Sequence, residues 1–391
     1  MPPNFFEFGD GFGKLFGVEK SSRKYYNILM GKDKLKYKQK VAFINRESEL
    51  TDLISFIDKE PSEILFIHGP KSSGKTTLLY KFLEQTEKEQ KLDVKFLNLR
   101  KIYKDNVNYK DFIKVFFNVV DKDKKEKKEK LSAAVNVGFF KINSEIERKI
   151  QERKADPFKV MENEFIRLGE KGIKPILIID ELQALDKIYL NNGRDRQLII
   201  ELFNFFVAMT KESHLAHIII ASSDGYFINQ VFTDSRLKKT SIFYKVDYLT
   251  KEDVMEWLLN LEKYSKITDY TLTKEDAERI WDTVGGSMWE IQEILWMLFR
   301  HPLEEVIASF MEKMRSLIVD YVVKPEQKAI EKLLRRFIDS YQLPKEQITS
   351  EDETLLREMV RQNILYFDPT KATYYPQGMS YHHGIRLYFR K

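Results

Sequence analysis

The stretch from Ile64 to Leu79, Ile-Leu-Phe-Ile-His-Gly-Pro-Lys-Ser-Ser-Gly-Lys-Thr-Thr-Leu-Leu, decides how the rest of the chain is read. Its unbroken apolar opening, Ile64 to Ile67, predicts a strand covered on both faces, as in a parallel sheet. Gly69 to Thr76 then matches the spacing G-x-x-x-x-G-K-[ST], and Leu78, Leu79 and Tyr80 begin an apolar helix face. Strand, glycine loop and helix follow in the order that this spacing requires.

The residue types fit a phosphate cradle. Gly69 and Gly74 admit backbone angles and a closeness of approach that a side chain would block. The loop Gly69, Pro70, Lys71, Ser72, Ser73, Gly74, Lys75, Thr76 and Thr77 can then turn successive N–H groups inward, at a helix N-terminus whose dipole favours the same anion. Lys75 is expected to reach the β- and γ-phosphates, and the hydroxyl of Thr76 to ligate Mg²⁺.

Further along, Pro175-Ile176-Leu177-Ile178-Ile179 ends in Asp180-Glu181. A central parallel strand delivers its last side chains to the carboxyl edge of the sheet, where ligands sit. Asp180 is expected to hold Mg²⁺ through its hydration shell, and Glu181 to take a proton from the attacking water. A plain strand-to-loop turn is the alternative reading, and the upstream glycine loop weighs against it. The second carboxylate, together with the lack of an Asn-Lys-x-Asp box, argues for ATP/ADP over a guanine nucleotide.

At 391 residues the chain is long enough for two or three domains, and 43% hydrophobic residues supply their cores. Charged residues make up 32%, rich in Lys and Glu as in thermophile proteins. The absence of cysteine excludes disulfides and thiolate metal sites. A net charge of +5 neither demands nor excludes nucleic acid. No apolar run is long enough to span a bilayer, and the N-terminus lacks a continuous signal-peptide core, so a cytoplasmic protein with no membrane partner is expected.

Residues 1–40 read as an aromatic and basic extension, with Phe5, Phe6, Phe8, Phe12, Phe16, Tyr25 and Tyr26 either folded back on the body or offered to a partner. Phe43-Ile44-Asn45-Arg46-Glu47-Ser48-Glu49-Leu50 predicts a helix start capped by Asn45. This box, shortly before the glycine loop, resembles the nucleotide-base site of AAA+ and STAND-type ATPases, and most closely an archaeal ATPase family related to replication-initiator ATPases. The resemblance implies that Asn45 and Arg46 line the base side of the pocket.

It also implies a polar sensor at the end of His217-Ile218-Ile219-Ile220-Ala221-Ser222-Ser223, Ser222 before Ser223, against the alternative of a strand-end turn. Ser235-Arg236-Leu237 resembles the element of replication-initiator relatives that carries an arginine finger, which would make Arg236 such a finger toward the γ-phosphate; the alternative is a surface ion-pair residue. Val284-Gly285-Gly286-Ser287-Met288 stands where the family has Gly-Gly-x-Pro in a helical lid, although the two glycines by themselves would suit a helix C-cap. After the last helices, Leu365 to Asp368, a Pro369-Thr370-Lys371 turn, Thr373 to Pro376 and a final strand Gly384 to Phe389 resemble a winged helix. His382 and His383 suit a turn better than a metal site.

The expected fold class is therefore α/β: a P-loop NTPase αβα sandwich with a parallel sheet (41–247, with an insertion at about 121–150), then a helical lid (248–320) and a winged-helix domain (321–391). The expected function is an ATP-binding, Mg²⁺-dependent, ATP-hydrolysing molecular switch. ATP is the expected ligand, a protein and DNA are equally open as further partners, and a monomer is slightly favoured. The alternatives are an ATP-gated DNA-binding protein of replication or mobile elements, and a nucleotide-binding scaffold with negligible turnover.

Overall fold

The computed structural model describes residues 43–86, 91–99, 112–113, 116–119, 141–142, 144–152, 154–185, 188–189, 197–235 and 237–390. The aromatic extension, the alternating segment from Ala133 to Phe139 and Arg236 lie outside the described residues.

In chain order the first strands are β1 (Ile64–His68), β2 (Leu92–Asn98), the short parallel pair β3 (Asn118–Val119) and β4 (Lys141–Ile142), then β5 (Lys174–Asp180), β6 (His217–Ser222) and β7 (Ser241–Lys245). Five of them form one parallel sheet in the order β2-β5-β6-β1-β7. The three inner strands are apolar along nearly their whole length because helices cover both faces of the sheet. On one face, Leu65, Ile67, Ile176, Ile178 and Ile219 pack with α1 (Glu47–Asp58) and α2 (Lys75–Thr86).

On the other face, Ile64, Phe66, Leu177, Ile179, Ile218 and Ile220 meet α4 (Pro157–Gly169), α5 (Leu198–Val207) and α6 (Gly225–Thr233), with α3 (Ser144–Gln151) alongside. Alternate residues of each inner strand thus serve opposite layers, as the two-residue period of a strand demands. Burying each of these side chains contributes about 1.5–3 kcal/mol relative to exposure.

The register decides what the carboxyl edge presents. Asn98 pairs with Asp180, Asp180 with Ala221, and Ser222 with His68, which precedes the glycine loop. Polar strand ends from four neighbouring strands therefore lie in one row.

A helical cluster follows, built from α7 (Lys251–Leu259), α8 (Leu261–Ser265), α9 (Lys274–Val284), α10 (Met288–Met297) and the first part of α11 (Leu303–Val322). Capping boxes at Thr250/Asp253 and Thr273/Asp276 start α7 and α9. Gly285 ends α9 at φ +60, and a Cβ at Gly286 would meet the Leu249 carbonyl at 2.0 Å, so this glycine pair is both a C-cap and a close-packing contact. Ile44 is buried in the same cluster.

The chain closes with α12 (Gln327–Arg335), β8 (Leu343–Pro344), α13 (Ser350–Arg361), β9 (Leu365–Asp368), β10 (Thr373–Pro376) and α14 (Met379–Phe389), in which β8-β10-β9 form a small antiparallel sheet. Asp368 Oδ1 accepts from the N–H and hydroxyl of Thr370, which makes the expected turn.

Two expectations are corrected. Residues 384–389 belong to helix α14 and not to a strand. Ile385, Leu387 and Phe389 alternate in sequence, but Tyr381, Ile385 and Tyr388 pack at helical spacing, and Gly384 lets the helix approach the Met314 carbonyl of α11. His382 and His383 are therefore helical too, each bonded to a backbone carbonyl, of Phe337 and Asp282 respectively.

The second correction concerns Asn45, which does not cap α1. Arg46 occupies the N-cap position with no side-chain cap bond, while Asn45 turns the chain at φ +43 and donates to Asp253 Oδ1 at 2.7 Å. Asparagine tolerates that left-handed angle, and its amide is used on the helical cluster instead.

Candidate functional site

The glycine loop leaves β1 and enters α2 at Lys75. Gly69 and Gly74 have φ of +148 and +94, and a Cβ at Gly69 would lie 2.0 Å from the Val246 carbonyl. Ser72 also takes a positive φ, and Ser73 is fully buried. The buried ammonium of Lys75 donates to Gly69 O at 2.9 Å and Pro70 O at 2.8 Å. Arg46, itself buried, braces the loop from behind by donating to Ser73 O at 3.2 Å and to Asp247 O at 2.5 Å beyond β7.

Where the loop meets the sheet, Thr76 Oγ1 donates to Asp180 Oδ2 at 2.9 Å and Asn98 Nδ2 donates to the same oxygen at 3.0 Å. A hydroxyl and a carboxylate in contact at the mouth of a phosphate loop form the hard-oxygen donor pair that suits Mg²⁺, which usually keeps its other ligands as waters and phosphate oxygens. Thr76 and Asp180 therefore fit that ion.

Glu181 follows at φ +66, a strained angle for a non-glycine residue that costs on the order of 1–3 kcal/mol. Its N–H bonds the Ala221 carbonyl at 2.8 Å, and Ser223 Oγ donates to its Oε1 at 3.0 Å. Gln183 Nε2 donates to the other carboxylate oxygen. Ser222 Oγ donates to Gln183 Oε1 at 2.9 Å and accepts from Asp224 N–H at 3.0 Å.

The structure thus brings Arg46, Lys75, Thr76, Asp180, Glu181, Ser222 and the loop from Gly69 to Thr77 to one edge of the sheet, and directs Asn45 to the helical cluster. Sequence reasoning missed Asn98 and Gln183. Asn98 carried a signal as the polar end of an apolar strand; Gln183, two residues beyond the carboxylate pair, carried none.

The C-terminal sheet is seated on this same edge. With its amide oriented to satisfy both neighbours, Gln377 accepts from Lys71 N–H at 2.7 Å and donates to Leu365 O at 3.1 Å. Tyr248 OH donates to Lys71 O at 3.0 Å. Lys245 at the end of β7 pairs at 3.0 Å with Asp368, whose side chain is 0% exposed. Burial works against this carboxylate, but bonds from Thr370 and Lys245 outweigh it and hold its pKa below the ordinary value.

His68 lies 3.3 Å from Tyr366 OH, and burial pushes its imidazole down to about 4; Asp368 opposes the shift, and Lys245 and Lys75 reinforce it. On the far side of the contact, the hydroxyls of Tyr226 and Tyr374 are 2.7 Å apart, and a Cβ at Gly225 would strike the Phe367 carbonyl.

Glu290 joins α10 to α14 by accepting from Ser380 Oγ at 2.7 Å. Burial pushes its carboxyl up from 4.5 to about 7, against the bonds from Ser380 and Ser287. A carboxyl with a raised folded-state pKa favours folding fully below about 4.5 and loses that contribution as pH rises through about 7. Glu290→Gln is therefore expected to gain stability over the parent chain as pH rises from 5 to 8, by about 2 kcal/mol at the alkaline end. Thermal melts across that range check it, and parallel curves for the two proteins would refute it.

A parallel sheet in this order, a glycine loop entering a helix from the inner strand β1, and an Asp-Glu pair at the end of β5, one strand removed from β1 across β6, together define a P-loop nucleoside triphosphatase fold. A family model described as an ATPase domain predominantly from Archaea matches residues 43–294, and the chain belongs to that family. It is 32% identical over 348 residues to an uncharacterized ATP-binding protein of Methanocaldococcus jannaschii, covering 86% of this chain and 93% of that one. An uncharacterized ATP-binding protein of Pyrococcus abyssi is 30% identical over 343 residues, covering 86% of this chain and 95% of its own length.

Among solved structures, a Walker-type ATPase of Pyrococcus abyssi shares the fold with a TM-score of 0.60 at 16% identity, over 88% of this chain and 96% of its own. Among the described residues, no helix is long and apolar enough to cross a membrane.

Proposed function

We propose that this protein is an ATP-binding, Mg²⁺-dependent ATPase that works as a molecular switch, with hydrolysis at the sheet edge coupled to movement of the lid and C-terminal parts. The division into a core at 41–247, a lid at 248–320 and a winged helix at 321–391 belongs to the same reading. Separate hydrophobic clusters for the helical and C-terminal parts support it.

In this mechanism Lys75 and the amides of the loop hold the β- and γ-phosphates, and Arg46 keeps the loop in shape from behind. Thr76 and Asp180 would hold Mg²⁺, which supplies charge neutralisation on the phosphate oxygens when bound. Glu181 accepts a proton from water as its oxygen bonds to the γ-phosphorus and the bond to the β–γ bridging oxygen breaks, releasing ADP and phosphate. Ser222, paired in register with His68 just before the phosphate loop, takes the role of γ-phosphate sensor in this reading.

The observation that carries the switch reading is the bond from Lys71 N–H, within the phosphate loop, to Gln377, the residue that follows β10 of the C-terminal sheet. An amide of the phosphate cradle is engaged by the part that would move, so phosphate binding and C-terminal docking compete for it. Hydrogen exchange tests this. Adding ATP with Mg²⁺ is expected to speed exchange in β9 and β10 relative to the nucleotide-free protein, and unchanged exchange rates would refute the coupling.

The Lys245–Asp368 pair gives a second test. Asp368→Asn removes one of the two carboxylates that pair with Lys245, which keeps Asp247 at 2.6 Å, and is expected to loosen docking by about 1–2 kcal/mol, less than the loss for a fully buried pair because Lys245 remains paired and partly exposed. The same exchange experiment should then show β9 and β10 already fast without nucleotide. If protection is retained, the pair is no latch.

A protein partner suits the C-terminal part better than DNA does. Helix α13, the helix a winged helix would present to a duplex, opens on Glu351, Asp352 and Glu353, and its Arg357 and Arg361 lie within ion-pair distance of Glu353 and Glu358.

A further inference from the structure

We propose that Gln183 is a positioning residue for hydrolysis: its side-chain amide links the Ser222 hydroxyl to the Glu181 carboxylate and holds that carboxylate toward the attacking water. The inference rests on the reading of Glu181 as the general base.

Backbone geometry does not aim Glu181 by itself. At φ +66 the residue has left the strand, and the regular alternation of side chains no longer sets its direction. Its carboxylate is instead held at both oxygens, by Ser223 on Oε1 and Gln183 on Oε2. Gln183 is well anchored for this task, because it sits in the short 3₁₀ turn Leu182–Leu185, whose first and last side chains are buried in the core.

The orientation of its amide is fixed from the other side. Ser222 Oγ accepts from Asp224 N–H and donates its own proton to Gln183 Oε1. With the amide oxygen committed to Ser222, the Nε2 donor faces Glu181. The result is a directed chain of bonds from the N-cap of α6, through the end of β6, to the carboxylate. Each carboxylate oxygen has a further lone pair, so the network leaves Glu181 able to accept a proton from water. A γ-phosphate that draws on the Ser222 hydroxyl would reach the base through one intervening side chain.

The test uses full-length Gln183→Met, which keeps the volume and removes the amide, and Gln183→Leu, which also removes it without setting a second carboxylate against Glu181. A donor lost from an ionised group is expected to lower the single-turnover rate of ATP hydrolysis roughly ten- to a hundredfold in both variants. ATP affinity, measured by equilibrium titration, should stay within about twofold, since no Gln183 bond reaches the phosphate loop. In the Glu181→Gln background, Gln183→Met should cause no further loss, because the two residues then act on one step.

An equal fold-loss in both backgrounds would make Gln183 a general structural residue and overturn the proposal. So would a full rate in the Gln183 variants while Glu181→Gln is inactive. Full turnover in Glu181→Gln alone would instead remove the general-base reading itself. If Gln183→Met does not fold, as judged by circular dichroism, Gln183→Leu carries the same comparison, and lost ATP binding in a folded variant would overturn the proposal.

Discussion

Replacing Glu181 by glutamine is expected to lower ATP turnover about a hundred- to a thousandfold while ATP binding persists. The substitution keeps length and shape but removes the group that can accept a proton from water, and a positioned general base contributes about 10²–10⁴ in rate. The surroundings add to the effect. Both carboxylate oxygens accept bonds, from Ser223 and Gln183, and an amide can accept at only one of its two ends.

The new NH₂ must then face a donor, or Gln183 must turn and give up its bond with Ser222. Either outcome moves the side chain off its aim. Binding should survive because the phosphate cradle is the loop from Gly69 to Thr77, whose lysine and threonine the substitution leaves in place. Single-turnover hydrolysis alongside an ATP titration gives the answer, and a rate within about threefold of the parent protein would take Glu181 out of its role.

Lys75→Ala is expected to weaken ATP binding about 10²–10³-fold. A buried ammonium facing a phosphate has no replacement in a methyl group, and removing one partner of a buried charge pair costs about 3–5 kcal/mol. In the structure the ammonium satisfies the carbonyls of Gly69 and Pro70, so the alanine variant also loses bonds that shape the loop. Gly69 cannot relax freely, because the Val246 carbonyl lies where its Cβ would stand. Lys75→Met keeps most of the stem but neither the charge nor the bonds to Gly69 O and Pro70 O, so it isolates the packing of the stem and should bind ATP as weakly as Lys75→Ala. Unchanged ATP binding in both variants would refute the phosphate reading of the loop.

Both predictions concern residues that could be read from local sequence, and that reflects how such sites are built. The loop from Gly69 to Thr76 is contiguous, and its glycines, lysine and threonine each answer a local requirement of a phosphate cradle. Asp180 and Glu181 end an apolar run, so a buried strand with its carboxylates at the edge followed directly. Asn98 reached Asp180 only through the pairing of β2 with β5, which no local pattern encodes. Gln183 became visible once the left-handed turn at Glu181 brought the two side chains together. Helix α14 was misread because its apolar residues fit two periods, and packing on α11 chose between them.

What the sequence determined by itself was the class of fold and the location of its phosphate loop and acidic pair, since these rest on short-range spacing and on strands apolar enough to be buried on both faces. Tertiary structure alone decided that Gln377, Tyr366 and Asp368, roughly three hundred residues beyond the loop, sit on its edge. Those contacts come from the way two separately packed clusters meet, through single polar side chains with no periodicity of their own. A chain read in order shows what each segment buries, whereas the partner of an isolated glutamine or aspartate is set only when the surfaces close.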